Sequence, residues 1–270
     1  MDRSGKVYAH GSSCCLISNT MIKVIAFSDP HGKLPEIKEE FDLMLICGDI
    51  CPAYGHYHEY QRNWLSTVFV SWVLGLPFKD KDSRVVFIAG NHDQYLENEP
   101  NPNHGDYSSI YTDILKPCNG RLVYLEDDEY IYEKETGSGD VESLKIYGTP
   151  WCKVFGNWAF MRSDEKLAQY YDNIPEGLDI LMTHDMPDIQ GCGKITLGPW
   201  AGENAGNKVL AKAIRKKEPR YVLSGHIHSA SHTLTKVYRK NTYFRCVSIL
   251  DEDYYPLYSY YAFTIDGALK

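Results

Sequence analysis

Six short apolar runs, separated by polar breaks, constrain the fold of this chain more than any other feature. Runs of this length that are rich in Val and Ile are typical of strands buried on both faces. Amphipathic patterns over residues 57–74 and 207–217 predict helices between some of the runs. The chain is therefore expected to form a layered α/β fold with mixed β-sheets flanked by helices. The six runs are IKVIAFS (22–28), DLMLICG (42–48), RVVFIAG (84–90), LKIYG (144–148), LDILMT (178–183) and RYVLSG (220–225).

The first predicted helix carries large apolar residues at a spacing of four. Because such a stripe marks the face that a helix buries, we expect these side chains to pack in the core. The residues of this stripe are Tyr60, Trp64, Val68 and Trp72.

Three later segments alternate between apolar and polar residues, which predicts antiparallel strands. They are SHTLTKVYR (231–239), TYFRCVSI (242–249) and YYAFTID (260–266). Residues 133–143 are rich in Gly, Ser and charges and are expected to form a hairpin or a surface loop. The Gly-rich residues 191–206 are expected to form either a mobile loop or a substrate-facing lid.

The domain organisation is expected to be simple. Residues 1–20 lack a continuous apolar segment, so we interpret them as a disordered extension rather than a secretory signal. Residues 21–270 are then a single domain. No run reaches the roughly 18 apolar residues of a membrane-spanning helix, so no membrane partner is expected. The sequence leaves the oligomeric state open.

The cysteines indicate which cellular compartment is favoured, and the charge balance indicates which partners are disfavoured. The 8 cysteines are irregularly spaced and form no CxxC pair, which favours a reducing, cytoplasmic location over a disulfide scaffold. A formal net charge of -8 repels polyphosphate backbones, so a long nucleic acid is not an expected partner. The one dense basic cluster, residues 215–217, fits the solvated last turn of a helix.

Polar residues that bind metals follow five of the apolar runs. They are Asp29 and His31, Asp49, Asn91 with His92 and Asp93, His184, and His226 with His228. The carboxyl ends of parallel strands meet at one edge of a sheet, so these side chains are expected to share a crevice. Taken singly, each has another explanation as a turn or cap residue. Five such placements at one edge favour a metal site.

The paired histidines at the end of this series illustrate the two interpretations. In extended backbone, side chains two residues apart point the same way, so His226 and His228 can enter one pocket. They can also be ordinary hydrogen-bonded side chains. His56 and His58 have the same spacing, but they lie where a helix begins and are expected at the surface or substrate rim. Three further histidines, His10, His104 and His232, are assigned to solvent or polar loops.

The order of these motifs resembles the calcineurin-like metallophosphoesterase superfamily. The motifs are SDPHG, GDI, GNHD, MTHD and GHIH, and they span residues 24 to about 250. Two further segments, KIYGTPWCKVFGNWAF (145–160) and IPEGLDILMTH (174–184), are similar to the MPPED-type branch of metal-dependent phosphodiesterases. The resemblance implies a calcineurin-like α/β fold and a phosphoric ester hydrolase.

The resemblance also implies two divalent metal ions. One would be held by Asp29, His31, Asp49 and His228. The other would be held by Asp49, Asn91, His184 and His226, so that Asp49 bridges the pair. A mixed oxygen and imidazole set suits Mn²⁺, Fe or Zn²⁺ better than Ca²⁺, and ligand types alone do not select among the three. Mn²⁺ is the metal we expect, with Fe or Zn²⁺ as alternatives.

The implied reaction is hydrolysis of a small phosphodiester, such as a cyclic nucleotide, by a metal-activated hydroxide. In the family, the position of His92 is a candidate for protonating the leaving alkoxide. Asp93 could orient this imidazole and raise its pKa. The alternative role for His92 is a hydrogen bond to the phosphate.

An aromatic segment follows the KIYGTP run, and it has two interpretations. Its rings could form a wall that stacks on a nucleobase. Core packing is favoured, because large aromatic residues dominate protein cores. The residues concerned are Trp151, Phe155, Asn157 and Trp158.

Three other functions fit parts of the sequence. A nuclease of the same chemistry is disfavoured by the acidic charge balance. A serine/threonine phosphatase, which is a phosphomonoesterase, would carry GDxxDRG where this chain has GDICPAYG, so the phosphate-clamping arginine is missing there. A non-catalytic metal-binding scaffold would be expected to lose ligands, whereas all the expected ones are present.

Overall fold

A computed structural model describes residues 21–102 and 108–269 of the chain. The expectations for residues 1–20, including the disordered extension and His10, lie outside the described residues, as does the expectation for His104.

The described residues contain the following strands in chain order: β1 (Ile22–Phe27), β2 (Leu43–Cys47), β3 (Arg84–Ile88), β4 (Leu122–Tyr124), β5 (Asp128–Glu135), β6 (Val141–Thr149), β7 (Cys152–Lys153), β8 (Met161–Arg162), β9 (Ile180–Thr183), β10 (Tyr221–Ser224), β11 (Thr235–Lys236), β12 (Tyr243–Cys246), β13 (Tyr261–Ile265) and β14 (Ala268–Leu269). The α-helices are α1 (His58–Trp64), α2 (Val70–Leu74), α3 (Gln94–Asn98), α4 (Asp164–Asp172) and α5 (Lys208–Lys217). All six apolar runs form strands, as predicted.

Two large sheets carry the fold. The first has the strand order β13-β1-β2-β3-β4, in which β1 to β4 are parallel and β13 is antiparallel to β1. The second has the order β11-β12-β10-β9-β6-β14, with β5 also paired to β6. Strands β6, β9, β10 and β12 of this sheet run parallel to one another. Both sheets are therefore mixed, and the α/β prediction is confirmed.

The late segments confirm only part of the antiparallel prediction. Strands β11 and β12 pair antiparallel, and so do β13 and β1. The prediction was wrong for the other edge of β12, which pairs with β10 in parallel. Alternating polarity reports that one face is buried and carries no information about strand direction. The predicted hairpin over residues 133–143 is present as the turn between β5 and β6.

Alternate residues of each strand enter two different cores. Ile22, Val24 and Ala26 of β1 lie in a core that joins the two sheets, together with Ile180 and Met182 of β9. The intervening residues of both sheets lie in a second core with the helices, in which Phe69 packs edge-on against Phe87 of β3. The molecule thus has four layers, with the two sheets packed face to face between helices.

A continuous helix over residues 58–74 includes a π-helical segment, Leu65–Phe69, between α1 and α2. The predicted core stripe on this helix was half right: Trp64 and Trp72 pack against the core, whereas Tyr60 and Val68 are 45% and 47% exposed. The buried stripe lies one residue further along the chain, at Gln61, Leu65, Phe69 and Val73.

The polar residue Gln61 takes a core position because of its hydrogen bonds. Its side chain donates to the carbonyl of His92 at 2.7 Å and accepts from the amide of Tyr95 at 2.9 Å. These bonds attach the helix to the loop after β3. A hydrophobicity pattern cannot reveal such a residue, because the hydrogen bonds offset the cost of burying the amide.

Helix α5 agrees with the prediction for residues 207–217. The Asn207 side chain caps it by accepting from the amides of Val209 and Leu210 at 2.8 and 3.0 Å. The basic cluster, residues 215–217, occupies its last turn as expected. Within residues 21–102 and 108–269, no helix combines the length and the apolar character needed to cross a bilayer.

Candidate active site

The carboxyl ends of the parallel strands place all the predicted metal-binding side chains at one edge of the molecule. Asp29, His31, Asp49 and Asn91 follow strands of the first sheet, whereas His184, His226 and His228 follow strands of the second. Except for His226, which is partly accessible, these residues are buried. The cluster therefore lies on the seam between the two sheets.

One group of ligand atoms gathers around His31. Its Nε2 lies 3.3 Å from Nε2 of His228 and 3.5 Å from Oδ2 of Asp49. The His228 Nε2 is 3.6 Å from Oδ1 of Asp29. Atoms of Asp29, His31 and His228 lie within 4.8 Å of one another, a spacing at which one ion can contact all three.

A second group gathers around His184. Its Nε2 lies 3.4 Å from Oδ2 of Asp49 and 3.1 Å from Oδ1 of Asn91. The ring of His226 lies 5.2 Å from the ring of His184. The same Asp49 oxygen thus faces His31 on one side and His184 on the other.

Four of the cluster residues have left-handed backbone, which is rare for residues other than glycine. The φ angles are 55° for Asp29, 43° for His31, 52° for Asp49 and 69° for His226. Strained conformations of this kind persist only where surrounding contacts hold them, and they concentrate at functional sites. Here the amides of Asp29 and His31 donate to carbonyls of the loop after β2, both at 3.0 Å.

Side chains and carbonyls behind the cluster orient the ligands. His184 Nδ1 lies 2.8 Å from the carbonyl of Cys47, and His228 Nδ1 lies 2.7 Å from that of Asp251. A ring that donates through Nδ1 presents the Nε2 lone pair to the cluster. The Ser248 hydroxyl donates to Asp29 at 2.6 Å. Sequence reasoning missed Asp251 and Ser248, although Ser248 lies just beyond β12 at the same edge.

The buried carboxylates of the cluster draw protons onto two histidines. Burial would lower the pKa of His184, but the charge of Asp49 and a hydrogen bond to it raise that pKa to about 10. Burial likewise opposes protonation of His228, but its hydrogen bond and charge interaction with Asp29 raise its pKa to about 9. Burial lowers the pKa of His31 to about 3, which leaves that imidazole neutral.

This donor set fits divalent cations. It combines carboxylate oxygens, an amide oxygen and imidazole nitrogens, all converging from different strands. In the absence of another positive charge, protons on His184 and His228 are what balance Asp49 and Asp29. A cation can replace those protons, because an imidazole must be neutral to bind it.

Asp93 does not form the predicted pair with His92. Its carboxylate accepts hydrogen bonds from the amides of Gly90, Ile50 and Cys51 at 2.8, 3.2 and 2.8 Å. Among the described residues, Nδ1 of His92 has no hydrogen-bond partner. The expectation that Asp93 orients this imidazole was wrong, because backbone amides already hold both carboxylate oxygens. Asp93 instead joins the loops after β2 and β3.

His92 lies beside the cluster, as predicted. Its backbone amide donates to Oδ1 of Asp49 at 2.7 Å. Its ring stacks on Trp158 with centroids 4.4 Å apart and meets the ring of His31 edge-on at 4.8 Å. His56, whose ring is 5.3 Å from that of His92, occupies the predicted rim position. His58 lies outside the cluster and contacts Glu99 and Tyr95.

The aromatic segment after β6 divides between the core and the site. Trp151 is buried and stacks on Tyr170, as core packing predicts. The core interpretation was wrong for Phe155, which is 55% exposed with its ring 5.1 Å from His226, and for Trp158, which covers His92. Tyr254, which sequence reasoning missed, places its ring 4.6 Å from that of His31. It comes from an irregular loop and had no signal in the sequence.

The Gly-rich loop, residues 191–206, is fastened beside the cluster. The amide of Thr196 donates to the Ser229 hydroxyl at 3.1 Å, and the Thr196 hydroxyl also bonds the Ser229 carbonyl. Ser229 directly follows His228 and donates to Glu252 at 2.6 Å. In the described contacts, His232 meets the cluster only through the backbone: its Nε2 lies 3.0 Å from the carbonyl of His228. Its ring stacks on Tyr258.

A comparison with known families agrees with this geometry. Residues 22–230 match the family described as calcineurin-like phosphoesterase, which is most of the chain. The chain belongs to the calcineurin-like phosphoesterase family. The resemblance inferred from the five motifs is confirmed, and the buried His and Asp groups are the metal-site clusters of this metallophosphoesterase.

This calcineurin-like phosphoesterase has curated relatives in animals. Metallophosphoesterase domain-containing protein 1 of Homo sapiens is 27% identical over 220 residues, which cover 76% of this chain and 60% of the relative. A UPF0046 protein of Caenorhabditis elegans is 28% identical over 242 residues, which cover 81% of this chain and 54% of the relative. The matches thus span little more than half the length of these relatives. The MPPED-type resemblance is confirmed.

Among solved structures, the Thermus thermophilus protein TT1561 is similar with a TM-score of 0.49 and 12% identity. The alignment covers 92% of this chain and 99% of that one.

Gly225, the glycine of the GHIH motif, leaves room for the side chain of Asp29, one of the metal-binding residues. A Cβ atom at Gly225 would lie 2.0 Å from the Ser28 hydroxyl and 2.3 Å from Oδ2 of Asp29. We expect Gly225→Ala to displace Asp29, to lower the free energy of unfolding by about 1–3 kcal/mol and to weaken the binding of divalent metal ions. The control is Gly137→Ala in the β5–β6 turn, where no atom lies within 4 Å of an added Cβ. Urea unfolding and metal analysis measure both effects, and equal behaviour of the two variants would contradict the steric argument.

Proposed function

We propose that this protein is a dinuclear metal-dependent phosphodiesterase that hydrolyses a small diester. The observation that supports this most directly is the position of Asp49. Its Oδ2 lies 3.5 Å from Nε2 of His31 and 3.4 Å from Nε2 of His184, so one carboxylate serves both ligand groups. A bridging carboxylate between two such groups is what a pair of metal ions requires.

The two ligand groups correspond to two ions. Asp29, His31 and His228 would hold one ion together with Asp49. Asn91, His184 and His226 would hold the other, again with Asp49. We propose Mn²⁺ as the metal, because carboxylate and imidazole ligands suit it. When bound, such a pair of ions activates water as a nucleophile and neutralises charge on the phosphoryl oxygens.

His92 would protonate the leaving alkoxide. It contacts the cluster through its backbone amide, which holds Asp49. Its ring is fixed between Trp158 and His31. A nitrogen of this ring lies within 4.8 Å of ligand atoms of His31 and Asp49, but each of the two ligand groups has four members without it. A positioned imidazole near neutral pH is an effective general acid. Because Asp93 does not contact this ring, its proposed role is to hold the loops after β2 and β3.

A diester is favoured over a monoester by the shortage of positive charge. The loop after β2 presents the amides of Ile50 and Cys51 to Asp93, and it carries no arginine that could clamp a doubly charged phosphate. A diester carries a single negative charge and has less need of such a clamp. The acidic balance of the chain disfavours a long nucleic acid as substrate.

The rim of the cluster favours a substrate with a planar group, such as a nucleotide. Phe155, Trp158, His56 and Tyr254 surround the metal-binding side chains. Ring faces stack on any nucleobase, so this rim offers affinity without strict base selection.

The six described cysteines are free thiols, which supports a cytoplasmic, reducing location.

Removal of Asp49 tests the proposal itself. Asp49→Ala takes a ligand from both ions, so we expect turnover of bis-p-nitrophenyl phosphate with Mn²⁺ to fall by about 10³-fold or more, or about 4 kcal/mol. Metal content should fall as well. The control is Asp140→Ala, which removes an exposed carboxylate from the β5–β6 turn. A wild-type protein that binds metal but cleaves no diester would instead support the scaffold function, and faster cleavage of p-nitrophenyl phosphate would support a monoesterase.

The role of His92 predicts a dependence on the leaving group. His92→Ala should lower kcat by about 10²-fold for an alkyl diester, whose leaving alkoxide needs a proton. The loss should be much smaller for bis-p-nitrophenyl phosphate, because p-nitrophenolate leaves without one. His58→Ala, which removes a histidine outside the cluster, is the control. Equal losses on both substrates would indicate a hydrogen bond to phosphate, and a loss of bound metal would show that His92 is a ligand.

The aromatic rim predicts a selective change in KM. Phe155→Ala removes an exposed ring beside His226, so KM for a cyclic nucleotide should rise about tenfold, in keeping with the energy of one stacked base. KM for a glycerophosphodiester, which has no ring to stack, should change little. Val154→Ala, at an equally exposed neighbour, is the matched control. A parallel rise for both substrates would contradict base stacking.

A further inference from the structure

A sixth strand also ends at the metal cluster, and it delivers a cysteine. Cys152 follows β6, the neighbour of β9 in the second sheet, and it is fully buried. Its Sγ and ligand nitrogens of His184 and His226 all lie within 4.8 Å of one another. Of the cysteines within residues 21–102 and 108–269, Cys152 alone belongs to such a group.

The backbone around Cys152 holds its side chain in this place. The Cys152 amide donates to the carbonyl of Phe160 at 2.8 Å, and Phe160 directly precedes β8, the partner of β7. The next amide, that of Lys153, donates to Asp185 at 2.9 Å, and Asp185 also accepts from Asn207 at 2.8 Å. Asn207 is the cap of α5, so a helix and a two-stranded sheet together fix the position of the sulfur.

The contacts of the sulfur leave it available to a cation. In the described contacts it bonds only the Pro150 carbonyl, at 3.4 Å. An ion 2.0–2.3 Å from a sulfur and two imidazole nitrogens separates those atoms by about 3.4–4 Å, which is consistent with the observed limit.

We propose that Cys152 is an additional ligand of the metal ion held by His184 and His226. The thiol would lose its proton to solvent as the ion binds, since a coordinating thiol is deprotonated. The inference rests on the proposed metal centre and adds a sulfur to one half of it only. The half formed by Asp29, His31 and His228 keeps oxygen and nitrogen ligands.

This asymmetry has a consequence for metal choice. A thiolate is a soft ligand that favours Zn²⁺ over Mn²⁺, whereas carboxylates suit Mn²⁺. This refines the proposal of Mn²⁺ for both ions: the half beside Asp29 keeps the preference for Mn²⁺, whereas the half beside Cys152 is expected to select Zn²⁺. The alternative is that Cys152 is a small buried residue that only fills space.

Cobalt spectroscopy separates these possibilities. The full chain is stripped with a chelator and titrated with Co²⁺, whose d–d bands report binding and whose sulfur-to-metal charge-transfer band in the near ultraviolet reports a thiolate ligand. The wild-type protein should bind two Co²⁺ and show the charge-transfer band. Cys152→Ser should lose that band, retain the d–d bands and bind Zn²⁺ about tenfold more weakly.

Two controls keep the outcomes distinct. Cys118→Ser, at a buried cysteine outside the cluster, should keep the band. Cys152→Ala removes the sulfur without adding a hydroxyl and should lose the band as well, so a disturbance by serine cannot explain the loss. Two bound Co²⁺ without the band in the wild type, or a band that survives Cys152→Ser, would overturn the role of Cys152 and leave the dinuclear centre intact. A wild-type protein that binds no Co²⁺ would overturn the metal centre itself.

Discussion

The burial of the Asp49 carboxylate between two histidines is the constraint on which the site depends. A carboxylate in this position needs a positive charge close by, because burial removes the water that would otherwise stabilise it. His184 and the backbone amide of His92 supply part of that stabilisation. A bound cation would supply more.

The position of the cluster on the seam links metal binding to folding. The first sheet contributes Asp29 and Asp49, and the second contributes His184 and His228, so the groups Asp29–His31–His228 and Asp29–Asp49–His184 each draw ligand atoms from both sheets. Direct bonds already cross the seam, such as the one between His184 and the Cys47 carbonyl. A ligand that binds only the native arrangement stabilises it by mass action. Metal ions in this place would therefore hold the two sheets together as well as act on substrate.

Much of this arrangement could be predicted because it follows simple rules. Apolar runs identified the central strands, and the rule that loops converge at strand carboxyl ends located residues such as Asp49 and His226. The same rule applied to the run at 144–148 would have found Cys152, whose sulfur was overlooked because a lone cysteine has no recognisable spacing.

The remaining features depend on contacts that one sequence does not display. Gln61 is buried by hydrogen bonds to a distant loop, so the stripe beginning at Tyr60 placed the buried face one residue off, and only its members Trp64 and Trp72 pack against the core. Asp93 precedes a helix and follows His92, yet two of its three partners are amides from another strand end. Phe155 is a large apolar residue of the type that usually packs in a core, and only the path of its loop places it beside His226.

Ser229 links three parts of the site through hydrogen bonds and chain connectivity. It directly follows His228, it accepts the Thr196 amide from the Gly-rich loop, and it donates to Glu252, two residues before Tyr254. The metal cluster, the flanking loop and one part of the aromatic rim therefore share a single point of attachment. A displacement of that loop would therefore reach the residue next to His228 directly through these hydrogen bonds.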